Sequence, residues 1–406
     1  MLNSVPLGAI FFAWCALMAV APIRRPRPLA VLSWICSSVA NELPFLFLFI
    51  VVASTVATVA DGDIASPAGW FSFAVALLTS VGLVVVVRRA LPSGANANRA
   101  MVEALGAGWR AEIDPILASR LRRHLPWPRI LLLPWPVRPH DVERVSNIPY
   151  GDNGTSNLLD VYRHRSHPSP APTLIYLHGG GFKWGSKNRE ARPLIYRLAS
   201  QGWTCISANY RLAPTPAEGF PEHLVDVKKV IAWARTHGHE HGIDPETIFL
   251  AGSSAGAHLT AMAALTANDP TFQPGFEASD TAITAGIGLG GYYGQLGGDE
   301  HPPSTPLAYL RPDAPPFFVV HGDHDTYTPV EGARLLVDRL RTVSKHPVAY
   351  AQLAGAQHSF DLFHSIRFET VVDAIEAFAA WIRTQHADTR ADEACEQNWT
   401  GPRSTS

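Results

Sequence analysis

The residues Gly252-Ser253-Ser254-Ala255-Gly256 form a G-x-S-x-G pattern with Ser254 at its centre. On a sharp strand-to-helix turn the two glycine positions have no room for a side chain, and the central Oγ is pushed out above the sheet. Ser253 points elsewhere in that register. Serine at its free pKa is a poor nucleophile, so it needs a base, and the base needs a group that orients it. Gly and Ser also make ordinary tight turns. The partners therefore decide between chemistry and a plain turn.

Upstream, His178-Gly179-Gly180-Gly181-Phe182 follows the apolar run "PTLIYL". Consecutive glycines let the backbone turn two N–H groups toward one point, where a tetrahedral oxyanion can sit. Taken alone the same glycines fit a flexible turn, and the sequence leaves open which two of the three supply the N–H groups. Downstream, "VVHGDHDTYTPV" carries Asp323 and Asp325, and "LAGAQHSFD" carries His358. Histidines 301, 321, 324 and 364 compete with His358. Only His358 follows the acid on a separate loop after a strand, which is the order serine, acid, histidine. The reading takes Ser254 as nucleophile, His358 as base and Asp325 as the orienting acid.

Taken in order, "HGGGF", "NYRLAP", "FPEHLVDV", "GSSAG", "HGDHD" and "QHSF" resemble the α/β-hydrolase superfamily, specifically the hormone-sensitive-lipase-like carboxylesterases with an HGGG loop. The resemblance covers about residues 150 to 386, and the whole chain is similar to membrane-anchored bacterial esterases of this group. It implies an α/β-hydrolase fold and a serine hydrolase that cleaves carboxylic esters through an acyl-enzyme, with no cofactor. It implies an oxyanion hole of Gly180, Gly181 and Ala255, and it makes the acid Asp325, four residues after His321, rather than Asp323. There is one departure. Many members carry an acidic residue just before the nucleophile, and here that residue is Ser253, which bears on substrate preference rather than mechanism. Amidases and formamidases use the same triad, and a hydrolase fold can serve as an inactive binding module. The inactive module calls for a missing triad member, and none is missing.

The elements that must position these residues are legible as an alternation. From about 141 to 386, apolar strand-like runs ("NLLDVYRH", "PTLIYL", "WTCISANY", "TIFLAG", "PPFFVVHG", "VAYAQLAG") alternate with helical ones ("ARPLIYRLASQ", "EHLVDVKKVIAWART", "AHLTAMAALTA", "VEGARLLVDRLRTV", "RFETVVDAIEAFAAWIRTQ"). That order predicts a mostly parallel sheet covered on both faces by helices. Ligands bind beyond the carboxyl ends of such strands, where the glycine and histidine motifs fall. The stretch from Gly291 to Leu310, together with a connector of residues 90–140, is expected to roof the pocket as a small lid. "HGHEHG" at 237–242 follows a helix and lacks an accompanying Cys or paired carboxylates, so no metal site is expected. No Lys-Ser or Lys-Thr follows the HGGG glycines at phosphate-loop spacing. The four cysteines, Cys15, Cys36, Cys205 and Cys395, have no disulfide-framework or zinc spacing.

The first 89 residues differ from the rest. Runs 5–23 and 70–87 carry no formal charge, and 29–60 carries one, Glu42. Each is read as a membrane crossing, with the first half of the middle run able to lie at the interface. "RRPRP" follows the first run, "DGDIASPAG" the second, and Arg88 and Arg89 the third. By the positive-inside rule the N-terminus lies outside and the hydrolase region on the cytoplasmic face of a bacterial inner membrane. Residues 90–140 read as an amphipathic connector, helical through Leu105, Trp109, Ile113, Ile116, Leu117 and Leu121. It is followed by "LPWPRILLLPWP", which suits either a membrane surface or the next domain. Residues 387–406 read as a disordered polar tail. The net charge of -2 gives no argument for nucleic acid as a partner. The expected partners are the membrane and a small-molecule or lipid ester.

Overall fold

The computed structural model describes residues 5–62, 66–166, 170–297 and 302–398. Beyond residue 140 the apolar runs become one sheet of β1 (Val142–Pro149), β2 (Leu158–His164), β3 (Ala171–Leu177), β4 (Thr204–Ala208), β5 (Ile243–Ser253), β6 (Ala285–Leu289), β7 (Phe317–Gly322) and β8 (Val348–Leu353). Their spatial order is β1-β2-β4-β3-β5-β6-β7-β8. The pairs from β4-β3 to β7-β8 are parallel, and β1 and β2 join antiparallel at one edge. The central strands are buried on both faces, which is why they read as continuous apolar runs.

Ahead of the sheet lie α1 (Val5–Val20), α2 (Arg27–Glu42), α3 (Pro44–Ala60), α4 (Pro67–Ala90), α5 (Ser93–Leu105), α6 (Pro115–Arg120) and α7 (Trp127–Leu132). Between and after the strands come α8 (Arg192–Ser200), α9 (Glu222–His237), α10 (Ala255–Leu265), α11 (Val330–Val343) and α12 (Ile366–Asn398). Alternate strand residues feed two cores. Leu174, Tyr176 and Phe249 pack with α5, α8 and α12. Ile175, Leu177 and Leu250 pack with α9, α10 and α11.

Two strands have no signal in the apolar alternation. β1 is polar and sits at the sheet edge, with a register shift between Val145 and Ile148. β6 reads "AGIGL", and glycine weakens any strand pattern. Its glycines are steric: a Cβ on Gly286 would lie 2.7 Å from the Phe317 ring, and one on Gly288 would lie 2.3 Å from Tyr293 Oη.

The connector differs from the continuous helix expected of it. α5 ends at Gly106, where φ is +92°, and α6 resumes only at Pro115. Trp109 and Ile113 are buried in the core against α12. Arg122 reaches Glu369 and Asp373, each at 2.6 Å. This part of the connector is packed on the hydrolase region because its large apolar groups and its arginine find partners there. The tail also departs from expectation. α12 continues the helical turn to Asn398 instead of ending in disorder at 387. Residues 399–406 lie outside the described residues.

The N-terminal region holds a helical stretch, Pro67–Leu105, long and apolar enough to cross a membrane. The middle run is not one straight segment. α2 and α3 meet at an angle of 85°, and Leu43 between them leaves helical geometry at φ -117°, ψ 47°. Pro44 removes a helical N–H and disfavours α geometry at the residue before it. The lone charge of the run then finds a partner: Glu42 faces Arg367 at 3.5 Å, with both side chains buried. Ser365 Oγ donates to Glu42 Oε2 at 2.6 Å, and Arg367 Nη1 donates to the Asn41 carbonyl at 2.9 Å. A buried charge persists only when paired and hydrogen-bonded in this way. It ties the end of α2 to the start of α12.

Candidate active site

The site begins where β5 ends. Ser254 stands between β5 and α10 with φ 54° and ψ -113°, a conformation that costs a side-chain-bearing residue about 1–3 kcal/mol. Crowding forces it. A Cβ on Gly252 would lie 2.4 Å from the backbone of Gly256, and one on Gly256 would lie 2.1 Å from the Leu177 carbonyl of β3. The Ser254 N–H donates to the Leu289 carbonyl at the end of β6, at 2.9 Å.

His358 comes from the loop after β8, and Asp325 from the loop after β7. Ser254 Oγ and His358 Nε2 are 3.0 Å apart. His358 Nδ1 and Asp325 Oδ2 are 2.7 Å apart. A carboxylate only accepts, so Nδ1 carries the proton and Nε2 is left to accept from the serine hydroxyl. Asp325 is held in turn by the Tyr327 and Thr328 N–H groups, at 2.9 and 2.8 Å from Oδ1. His321 Nε2 lies 3.3 Å from Oδ2. Burial works to raise the Asp325 carboxyl, but the charge of His358 and hydrogen bonds from His321 and His358 hold it well below the usual carboxylate range.

Asp323 and His364 are engaged away from the triad, and His321 stands behind Asp325. Asp323 Oδ1 accepts from the Gly355 N–H at 2.7 Å. His321 Nε2 donates to the Thr328 carbonyl at 2.9 Å. His364 pairs with Glu369. His301 lies outside the described residues. His237 and His241 of "HGHEHG" lie against the Trp233 ring.

Gly180 and Gly181 take φ of +119° and +59°. A Cβ on Gly180 would lie 1.7 Å from the Trp184 carbonyl oxygen, so only glycine fits. Gly180, Gly181 and Ala255 line a cavity of about 430 Å³ that reaches Ser254. The Gly179 N–H is taken by the Glu190 carboxylate, which removes it from the choice among the three glycines. His178 braces the loop, stacked on Tyr210 at 4.4 Å.

Several residues at the site carry no sequence signal. A second acidic group lies behind the His358–Ser254 pair. Asp361 accepts from Ser253 Oγ and, at 2.9 Å, from Tyr176 Oη. A carboxylate thus meets Ser253, but it arrives from the loop of the base. Its spacing in "QHSFD" is the one available hint. Burial and the charge of Asp361 push Glu190 up to about 7. Burial favours a neutral His358, but Asp325, with Asp361 and Glu190 behind it, outweighs burial and raises the imidazole above its ordinary value. The roof also differs from expectation. Tyr292, Gln295 and Leu296 of the expected lid line the cavity, but so does Arg27 of α2. A second, smaller cavity at Ser254 is walled by Trp34, whose ring lies 5.8 Å from His358 and 4.7 Å from Tyr327. Residues 298–301 of the lid stretch lie outside the described residues.

A family model described as BD-FAE matches residues 159–286. The chain is 35% identical to a probable carboxylic ester hydrolase, LipM, of Mycobacterium tuberculosis, with 96% of each chain covered. It is 40% identical to esterase LipC of the same organism over 59% of this chain and 65% of that one. Among solved structures, esterase B from Lactobacillus rhamnosis is similar with a TM-score of 0.52 at 19% identity, covering 63% of this chain and 90% of that one. At that identity the likeness concerns the fold.

The neutral form of His358 is the one able to take a proton, so activity falls as pH drops through its pKa. The raised value places the acid limb of the kcat/KM profile above 6.5, the ordinary histidine value. Asp361→Asn removes one of the charges that raise it. The limb is expected to move to lower pH, read from kcat/KM against pH with a soluble ester. An unmoved limb in a folded variant shows that Asp361 does not act on the base.

Proposed function

We propose a mechanism and a location for this chain, which belongs to the hormone-sensitive-lipase-like α/β-hydrolase carboxylic ester hydrolases. As a serine ester hydrolase, it uses Ser254 to attack the ester carbonyl while His358 takes the hydroxyl proton. The oxyanion of the tetrahedral intermediate is held by N–H groups of Gly180, Gly181 and Ala255. Ala255 opens α10, where backbone N–H groups lack intrahelical partners. His358 returns the proton to the leaving alcohol, Asp325 fixes the imidazole, and water then cleaves the acyl-enzyme. The observation that carries this reading is the unbroken chain of hydrogen bonds from Asp325 through His358 to Ser254. The relatives are named as ester hydrolases rather than amidases, which supports the ester over the amide.

The chain is proposed to be membrane-anchored, with 1–89 the membrane region, 90–140 a connector and 141–386 the catalytic domain. α1, α3 and α4 would cross, and α2 would lie along the surface. The N-terminus is then outside and Ser254 on the cytoplasmic face. In this topology the arginines at 24, 25, 27, 88 and 89 all fall on the side of the hydrolase domain, as the positive-inside rule requires. Arg24 Nη2 donates to the Asp323 carbonyl at 2.7 Å, which supports that sidedness.

Ser254→Ala is expected to lower kcat on a p-nitrophenyl ester by on the order of 10⁵–10⁶-fold and to abolish labelling by a fluorophosphonate probe. Ser253→Ala keeps most of the activity. Undiminished labelling of the Ser254→Ala protein would contradict the assignment. For sidedness, a phosphatase reporter fused after Arg89 is expected to be silent. An active one puts the hydrolase domain outside.

A further inference from the structure

α2 is amphipathic in the opposite sense to a helix bathed in water. Its buried stripe is Ala30, Ser33, Ser37, Ala40 and Asn41. Its outward stripe is Leu29, Leu32, Ile35 and Val39, exposed by 43%, 44%, 59% and 41%. The polar side chains of the inner stripe are used in hydrogen bonds. Ser33 Oγ accepts from the Ile23 N–H at 3.1 Å, Gln357 Nε2 donates to Ser37 Oγ at 3.3 Å, and Asn41 Nδ2 donates to the Gly355 carbonyl at 2.8 Å. A helix at a water-facing surface buries its apolar stripe and shows its polar one. Four large aliphatic side chains along one outer face instead mark contact with an apolar phase.

The surroundings say which phase. α2 turns through 85° into α3, so if α3 crosses the bilayer, α2 lies along its surface. Phe45 at the start of α3 meets Trp127 of α7, ring centres 6.4 Å apart. There Leu131, Leu132, Leu133 and Trp135 are exposed as well. Arg24, Arg25 and Arg27 stand at the N-terminal end of α2, and basic groups beside an interfacial helix favour anionic lipid. The inner side of the same helix walls the reaction site: Trp34 lines one cavity at Ser254, and Arg27 lines the other.

We propose that α2 is seated in the bilayer interface and forms the membrane-side wall of the ester cavity, so that the preferred substrates are amphiphilic carboxylic esters resident in the leaflet. The proposal rests on the membrane-anchored esterase reading above. An ester whose carbonyl sits at Ser254 then extends into the cavity of about 430 Å³ that Arg27 of α2 borders.

The test uses the full chain reconstituted in phosphatidylethanolamine/phosphatidylglycerol vesicles and two substrates, p-nitrophenyl acetate in the aqueous phase and p-nitrophenyl palmitate in the bilayer. Leu32→Gln with Ile35→Gln places two polar groups on the outer stripe and leaves the inner wall intact. The acetate rate is expected to stay within about twofold, while the palmitate rate falls about tenfold or more. Ile35→Leu is expected to retain both. Should the double variant misfold, Val39→Gln on the same stripe is read by the same two assays. Rates that stay unchanged together, or fall together in folded protein, overturn the proposal. A wild-type chain that cleaves neither ester overturns instead the esterase reading on which it rests.

Discussion

The turn at Ser254 constrains the rest of the structure. It holds a non-glycine residue at φ 54° and ψ -113°, and it persists because the surroundings allow nothing else. β5 must end at that residue, α10 must begin at the next, and β3 must pass close enough to exclude any side chain at Gly256. The parallel sheet supplies those conditions. It also brings the loops after β7 and β8 to the same edge, where an acid and a base separated by 33 residues come within 2.7 Å. Strain at one residue is thus sustained by burial across the two cores, as expected of a local cost over-determined by its surroundings.

The second dependence runs between α2 and the loops that carry the acid and the base. Thr326 Oγ1, one residue past Asp325, donates to the Ala30 carbonyl at 2.8 Å. Gln357, one residue before His358, reaches Ser37. Gly355 and Arg367 bind Asn41. Each catalytic loop is therefore anchored on a helix that lies 296 to 320 residues earlier in the chain than the loop residue it holds. The N-terminal helical region is thus part of the scaffold of the site, because the inner face of α2 holds the loops of Asp325 and His358.

The alternation of strands and helices and the order of the motifs were legible because each parallel strand is buried on both faces and each glycine motif sits at a strand end. Ser254, His358 and Asp325 could be singled out from type, order and resemblance. Other features depend on contacts that spacing does not encode. β6 has its strand pattern erased by Gly286 and Gly288, which are there to clear Phe317 and Tyr293. Asp361 meets Ser253 across 108 positions of sequence. Glu190 gives no local hint that it takes the Gly179 N–H. The break of the middle apolar run is legible at "NELP", Asn41 to Pro44. What spacing does not show is the pairing there of Glu42 with an arginine 325 residues away. Trp34 reads as one more apolar residue of a span until the fold sets it beside His358.

The central claim is that Asp325, rather than its neighbour Asp323, orients the base for Ser254. Single-turnover and steady-state kinetics of Asp325→Asn and Asp323→Asn on a soluble p-nitrophenyl ester test it most directly. Asp325→Asn is expected to lower kcat by on the order of 10⁴-fold through loss of the correct tautomer, with Asp323→Asn losing far less. Equal losses, or a larger loss at Asp323, would contradict the account.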